Sequence, residues 1–170
     1  MKKISLLVAT VSAFGATGLH AALSVPVAVR VIGFLQSPPK GPINAAILYE
    51  PGSAASEAEA SAIEAAIGGG VAVGRGMLRV RRVPAGALGK LAGSQVAFVT
   101  AGIRDPQQMG EAAARAGILT ITSDAGCVRA AHCVVAVSSA PRTQITISRA
   151  AAKAANVRFG SAFLMLVKEI

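Results

Sequence analysis

Three apolar runs of strand length are separated along the chain by alanine-rich segments. The runs span residues 43–49, 95–100 and 118–122, and they lack the polar alternation of a strand that faces water on one side. Helix-start and helix-stop residues bound the segments between them, which predict helices over residues 56–67 and 105–116. This order of strand, helix, strand, helix and strand predicts a mostly parallel sheet with helices on its faces.

The rest of the chain completes a single domain. Residues 25–36 predict a first helix, and residues 133–138 and 143–147 predict two strands at the spacing of a β-hairpin. Two short helices, over residues 148–155 and 162–167, follow the hairpin. The sequence therefore predicts an α/β fold: a single-domain, mostly parallel sheet flanked by helices, with a C-terminal β-hairpin and closing helices.

The N-terminus has the pattern of an export signal. Two lysines after the first methionine precede an uncharged stretch over residues 4–19, which is shorter than the roughly 20 residues that a membrane-spanning helix needs. Small residues follow, as signal peptidase requires. We expect residues 1–21 to be a cleaved signal peptide, Ala22 to be the new N-terminus and residues 22–170 to form a periplasmic domain; an anchor that stays attached is the alternative.

The chain is strongly basic. It carries 17 Lys and Arg against 8 Asp and Glu, a formal net charge of +9, which becomes +7 (15 against 8) if the two signal-peptide lysines are removed. Residues 71–83 predict extended structure in which apolar and basic positions alternate, and they contain four arginines: Arg75, Arg79, Arg81 and Arg82. No aromatic residue lies among them, so we expect no nucleic-acid partner. The segment is either a solvated strand face or, through Arg79, Arg81 and Arg82, a surface for an acidic protein partner or an anionic membrane.

Side chains for catalysis are few. Without the signal peptide His132 is the sole histidine, and the chain has no Gly-x-Ser-x-Gly motif that could present a nucleophile. The glycines at 68–70 follow a helix, whereas the glycines of a dinucleotide-binding loop follow a strand. Ser56 and Glu59 have the spacing of a helix capping box, and most other acidic residues lie at predicted helix surfaces or caps. We therefore expect a non-catalytic protein that carries no cofactor.

Cys127 and Cys133 are the two cysteines of the chain. In an exported protein such a pair predicts a disulfide. Two alternatives stay open. Asp124 and His132 together with the two cysteines offer four donors for a metal ion, although adjacent His132 and Cys133 suit a tetrahedral site poorly. A redox-active pair would normally have the Cys-x-x-Cys spacing.

From residue 95 to the C-terminus the chain resembles YfiR-like periplasmic proteins, the regulators of membrane-bound diguanylate cyclases. Residues 95–100 (QVAFVT) look like the family's strand before a short acidic turn, and residues 117–124 (GILTITSD) are similar to its "vLtisd" segment. The two cysteines fall where the family has its C-terminal disulfide. Residues 144–152 (QITISRAAA) are similar to its "fxINxxxA" stretch, although Ser148 stands where the family often has Asn.

The resemblance implies a periplasmic sensor or regulatory protein. Such a protein would bind and restrain the periplasmic part of an inner-membrane diguanylate cyclase and so lower cyclic di-GMP synthesis; whether it does so as a homodimer is left open. The contrasting alternative is a small periplasmic solute-binding protein, with its ligand at the carboxyl ends of the parallel strands. A structural or interaction protein of the cell envelope is a third class that the composition permits.

Overall fold

The computed structural model describes residues 22–139 and 141–170, so the proposed signal peptide lies outside the described residues. The described chain forms one sheet of eight strands with helices on both faces. The strands are β1 (Gly41–Tyr49), β2 (Val71–Val73), β3 (Gly76–Pro84), β4 (Val96–Val99), β5 (Leu119–Thr122), β6 (Val135–Ser138), β7 (Gln144–Ile147) and β8 (Lys168–Glu169). The helices are α1 (Val25–Gly33), α2 (Ala54–Ile67), α3 (Pro106–Arg115), α4 (Ala125–Arg129), α5 (Arg149–Ala154) and α6 (Ser161–Leu164), with a 3-10 helix over Leu88–Leu91. None of the described helices is long and apolar enough to cross a membrane.

The strands follow the order β2-β3-β1-β4-β5-β6-β7-β8 across the sheet. The five central strands, from β3 to β6, run parallel to one another. At the two edges, β2 pairs antiparallel with β3, β7 pairs antiparallel with β6, and β8 then runs parallel to β7. The predicted α/β class, the mostly parallel sheet and the C-terminal hairpin with its closing helices are thereby confirmed.

Side chains of the central strands alternate between two hydrophobic cores, one on each face of the sheet. In β1, Ile43, Ala45 and Ile47 belong to the core that α1, α2, α5 and α6 cover. Ala46 and Leu48 belong to the other core, under α3, α4 and the 3-10 helix. Because both faces are buried, the central strands read in the sequence as unbroken apolar runs.

The segment over residues 71–83 differs from its prediction. It forms the two strands of a tight antiparallel hairpin, β2 and β3, where one extended segment was expected. A glycine is required at the start of β3, because a Cβ on Gly76 would lie 2.6 Å from Cδ1 of Ile43 and 2.9 Å from the carbonyl oxygen of Gly41. The turn between β2 and β3 therefore divides the predicted segment into two strands, and Gly76 lets the start of β3 approach β1.

The C-terminus also differs from its prediction. The helix expected over residues 162–167 ends at Leu164, and the chain then enters the sheet as β8. The Ile170 N–H donates to the Ile147 carbonyl and the Arg149 N–H donates to the Ile170 carbonyl, both at 2.9 Å. The last residues therefore satisfy their backbone groups as a strand, which an apolar pattern of this length does not distinguish from a helix.

Candidate functional site

The chain reverses its winding direction between the neighbouring strands β1 and β4. From β1 it crosses one face of the sheet through α2 towards β3, whereas from β4 it crosses the other face through α3 towards β5. In open α/β sheets such a divergence leaves a crevice at the carboxyl ends of the strands, where small ligands commonly bind. The carboxyl ends of β1 and β4 are therefore the first candidate position for a site.

Two buried hydroxyl groups lie at the base of this crevice. Ser56 in the first turn of α2 and Thr100 directly after β4 have their side-chain oxygens 2.6 Å apart. Thr100 Oγ1 donates to the Leu48 carbonyl at 3.0 Å, which leaves Ser56 Oγ to donate to Thr100. Ser56 Oγ also accepts from the Glu50 N–H at 2.8 Å. Both hydroxyl protons are thus used within the protein.

The predicted capping box of Ser56 and Glu59 is wrong. Helix α2 begins at Ala54, and its N-cap is Ser53, whose hydroxyl accepts from the Ser56 N–H at 3.4 Å. The prediction failed because Ser53 and Ser56 both suit the N-cap position of a helix. The Ser56 hydroxyl instead forms a hydrogen bond with Thr100.

Glu59 connects four parts of the chain at this edge. Its Oε2 accepts from the Ala101 N–H at 2.8 Å, directly after β4. Its Oε1 accepts from the Ser123 hydroxyl at 2.8 Å, after β5, and from the Leu23 N–H at 3.3 Å, before α1. These partners lie 42, 64 and 36 residues away in the sequence, so no local pattern indicates them.

Glu50 is the other carboxylate of the crevice, and it also bonds to the protein's own loops. Glu50, at the end of β1, accepts from the Arg104 N–H at 3.1 Å and forms an ion pair with the guanidinium of Arg104 at 3.3 Å. Among the described residues no buried side-chain nitrogen or oxygen lacks a hydrogen-bond partner. The hydroxyls and carboxylates named here therefore form their hydrogen bonds with the protein's own loops.

A cavity of about 280 Å³ lies beside this crevice, at the carboxyl ends of β4 and β5 under α3. Asp124 and His132 line it together with Thr122, Met109 and Cys127. The Asp124 carboxylate accepts from the Gly126 N–H at 2.7 Å and caps α4, and no hydrogen bond joins it to His132 within the described residues. The cavity thus has a carboxylate and an imidazole on its wall that are not bonded to each other in the described structure.

The structure contains the predicted disulfide, which joins Cys127 of α4 to Cys133 before β6. Both residues are buried. The bond removes both thiolates from the metal alternative, and within the described residues no three His, Cys, Asp or Glu side chains are grouped to hold a metal ion. The disulfide therefore closes the segment that carries His132 onto α4.

The three arginines predicted as a partner surface are divided between the two faces of the sheet. Arg79 and Arg81 share one face of β3, and the Arg81 guanidinium donates to the carbonyl oxygens of Lys90 and Ala92 at 2.6 and 3.1 Å. Arg82 points to the opposite face, where it pairs with Glu64 of α2 at 2.8 Å. Of the three, Arg79 is the one whose exposed guanidinium has neither a carbonyl nor a carboxylate partner within the described residues.

The C-terminal tip is a second feature that sequence analysis missed. We use this name for Met165 and Leu166, directly after α6, together with Phe34 at the end of α1. Phe34 stacks on Phe163 with ring centroids 4.5 Å apart, and remains 46% exposed. Met165 and Leu166 are 85% and 83% exposed, although the sequence predicted an apolar helix at this position.

These features define a class of protein: a single-sheet α/β domain with an internally hydrogen-bonded carboxyl edge, a basic surface and an exposed apolar tip. The chain belongs to the YfiR/HmsC-like family (DUF4154), whose family model matches residues 30–168. The match runs from α1 to β8 and confirms the resemblance seen in the sequence. The family is known for periplasmic regulators of diguanylate cyclases.

Two solved structures share the fold. A conserved domain protein from Vibrio cholerae O1 biovar El Tor matches with a TM-score of 0.63 and 14% identity, over 86% of this chain and 60% of that one. The ligand-free, open structure of CD0873, a substrate binding protein with adhesive properties from Clostridium difficile, matches with a TM-score of 0.57 and 12% identity, over 75% of this chain and 54% of that one. The chain thus spans little more than half of either protein, and the likeness concerns the fold alone. A search of curated proteins finds no match.

Proposed function

We propose that this protein is exported to the periplasm, where it binds and restrains the periplasmic part of an inner-membrane diguanylate cyclase and so lowers cyclic di-GMP synthesis. The observation that carries the proposal is the match to the YfiR/HmsC-like family over residues 30–168, which includes β1 to β7 and the first residue of β8. Members of that family are known as periplasmic regulators of these cyclases.

The geometry of the crevice supports action by surface contact. Ser56, Thr100, Glu50 and Glu59 use their polar groups to join the protein's own loops. An enzyme needs a base, acid or nucleophile that is free to reach its substrate. In the crevice these four residues are already bonded within the protein, which favours recognition of a partner at the outer surface.

Restraint of a membrane enzyme requires only a difference in affinity between two states of that enzyme. A regulator that prefers the inactive state by about 1.4 kcal/mol shifts the ratio of the two states tenfold, and one without a preference shifts nothing. A modest interface on the periplasmic side is therefore sufficient for control of an active site on the other side of the membrane.

Deletion of the gene tests the proposal. Loss of the protein should raise cellular cyclic di-GMP and surface attachment, and deletion of the partner cyclase in the same strain should cancel the rise. Expression of the full chain from a plasmid should restore the low level. An unchanged cyclic di-GMP level in the deletion strain would contradict the proposed function.

Export has its own test. Protein from a periplasmic extract should have the intact mass of residues 22–170, or of a chain that starts within two residues of Ala22. A product that retains Met1 in the membrane fraction would replace the cleaved signal peptide with an N-terminal anchor.

Arg79 and Arg81 remain our proposal for the partner surface, with Arg82 as a separate contribution on the opposite face. Because Arg81 also holds the 3-10 helix, Arg79→Glu is the cleaner test of docking. It should raise cyclic di-GMP part of the way to the deletion level at unchanged protein abundance. The matched control is Arg115→Glu, on the exposed surface of α3. An equal effect of both changes would point to net charge rather than to a docking surface.

The cavity of about 280 Å³ next to the disulfide favours the small solute-binding protein as a second candidate. Native mass spectrometry of protein purified from the periplasm should then detect a retained small molecule. Met109→Trp, which would fill the cavity, should abolish retention. A retained solute in a strain whose cyclic di-GMP does not respond to gene deletion would favour this candidate over the regulator.

A further inference from the structure

The C-terminal tip is the part of the described surface where large apolar side chains are most exposed. Met165 and Leu166 are adjacent in sequence, and both expose more than four fifths of their surface. Scattered single apolar residues are ordinary on a protein surface, but an adjacent pair that projects from a chain reversal is not. Phe163 anchors this reversal from below, because it stacks on Phe34 and contacts Phe159 at a centroid distance of 5.5 Å.

Basic side chains lie next to the tip. Arg149, Lys153 and Arg158 border a groove of about 390 Å³ whose wall includes Leu164, the residue directly before Met165. Among the described residues none of these three cations has a carboxylate oxygen within 4.0 Å, and Glu169 is the one acidic residue on the groove. We call Arg149, Lys153 and Arg158 the tip cations.

We propose that the C-terminal tip inserts Met165 and Leu166 into the interface of an anionic phospholipid membrane while the tip cations contact the lipid headgroups. Apolar side chains combined with basic residues are the pattern of surface-bound membrane segments. Each Lys or Arg near an anionic leaflet contributes about 1 kcal/mol, which corresponds to about a fivefold change in binding.

The shape of the tip favours a membrane over a protein partner. A stable protein interface buries roughly 800 Å² on each side and has an apolar centre that is packed from all directions. Met165 and Leu166 form a pair of only two projecting side chains, and the exposed residues that follow them, Lys168 and Glu169, are charged. A fluid lipid interface accepts two projecting side chains without a complementary pocket.

The inference depends on a periplasmic location but not on a cyclase. A protein held at the membrane surface meets the periplasmic part of a membrane partner at a raised effective concentration. Vesicle binding is measured with lipid alone, so its outcome is independent of whether the proposed function is right.

Co-flotation with vesicles tests the inference. Protein expressed from the full-length gene and purified from the periplasm should float with vesicles that contain phosphatidylglycerol and not with vesicles of phosphatidylcholine. Binding should be lost at about 0.5 M salt, where the screening length is well below 10 Å. Equal binding to both kinds of vesicle, or binding to neither, overturns the inference.

Two sets of variants locate the contact. Met165→Ser with Leu166→Ser should weaken binding at least tenfold, whereas Met77→Ser, at another exposed methionine on β3, should leave it unchanged. Lys153→Gln with Arg158→Gln should weaken binding about 25-fold, or fivefold for each cation. The matched control is Arg75→Gln with Arg129→Gln, two exposed arginines in the β2–β3 turn and at the end of α4.

The charge variants keep the test informative even if the apolar variants fold poorly. Circular dichroism and thermal melting establish folding before the vesicles are added. If the Met165 and Leu166 variants convert a dimer to a monomer in sedimentation velocity and leave vesicle binding unchanged, the tip is an interface between copies of this chain and the membrane inference is wrong.

Discussion

The carboxyl edge of the sheet and the C-terminal tip use polar and apolar groups in opposite ways. At the carboxyl edge, Glu59 alone accepts three hydrogen bonds from three separate parts of the chain. At the tip, the three cations have no carboxylate within ion-pair distance in the described structure, and Met165 and Leu166 contact mostly solvent. The polar groups at the carboxyl edge stabilise the fold, whereas the cations and apolar side chains of the tip region are available to bind a partner.

The difference bears on where function lies in this fold. Parallel α/β sheets usually bind their ligands at the carboxyl edge, because the loops there diverge and leave polar groups unpaired. In this protein the loops after β1, β4 and β5 are tied to α2 instead. We infer that substitutions at the carboxyl edge act on stability, whereas substitutions at the tip act on binding.

The largest effect on stability is expected at Glu59. Glu59→Ala should lower the free energy of unfolding by about 3 kcal/mol, because two backbone N–H groups and the Ser123 hydroxyl lose a charged acceptor. Urea denaturation followed by circular dichroism measures the change. The control is Glu64→Ala, whose exposed pair with Arg82 should contribute less than about 1 kcal/mol. Equal losses for the two variants would mean that Glu59 does not hold the edge.

Helix α3, which covers the cavity, provides the next test. A Cβ on Gly110 would lie 2.5 Å from the His132 carbonyl oxygen, a backbone atom that the disulfide-closed segment holds in place. Gly110→Ala should therefore lower the free energy of unfolding by roughly 2 kcal/mol, which is within the range for an overpacked contact. Gly33→Ala is the matched control, since it also adds a methyl group to a helix but meets nothing within 4 Å. A melting temperature for Gly110→Ala as high as that of the control would disprove the close contact.

Sequence analysis identified the sheet because its signals are local. Apolar runs, turn residues and Asp105 before Pro106 mark the strands of the parallel core and α3 directly. The bonds of Glu59 and Ser56 depend instead on loops that meet only after folding. The same reason explains the tip: an apolar run over residues 162–167 does not indicate that Met165 and Leu166 are exposed before the chain enters the sheet as β8. The disulfide was accessible to sequence reasoning because the chain offers a single pairing.

Removal of the disulfide should have a slightly smaller effect than the loss of Glu59. Cys127 and Cys133 are six residues apart, and the chain-entropy relation for so short a loop gives about 2 kcal/mol. Cys127→Ser with Cys133→Ser should lose this amount in urea denaturation, and the wild-type protein should lose the same amount under reducing conditions. In addition, denatured wild-type protein should bind a thiol reagent only after reduction. A variant as stable as the wild type would show that the loop is held by its packing alone.

The smallest effect on stability is expected at the C-terminal tip. Met165→Ser with Leu166→Ser removes apolar groups that are already in water in the folded state, so little buried area is lost and the free energy of unfolding should change by less than about 0.5 kcal/mol. Phe163→Ala is the contrasting change in the same segment, because it removes a buried ring that stacks on Phe34, and it should cost on the order of 3 kcal/mol. Urea denaturation of both variants separates the two roles. If the tip variant proves as unstable as Phe163→Ala, Met165 and Leu166 are part of the packing and are not available to bind a membrane.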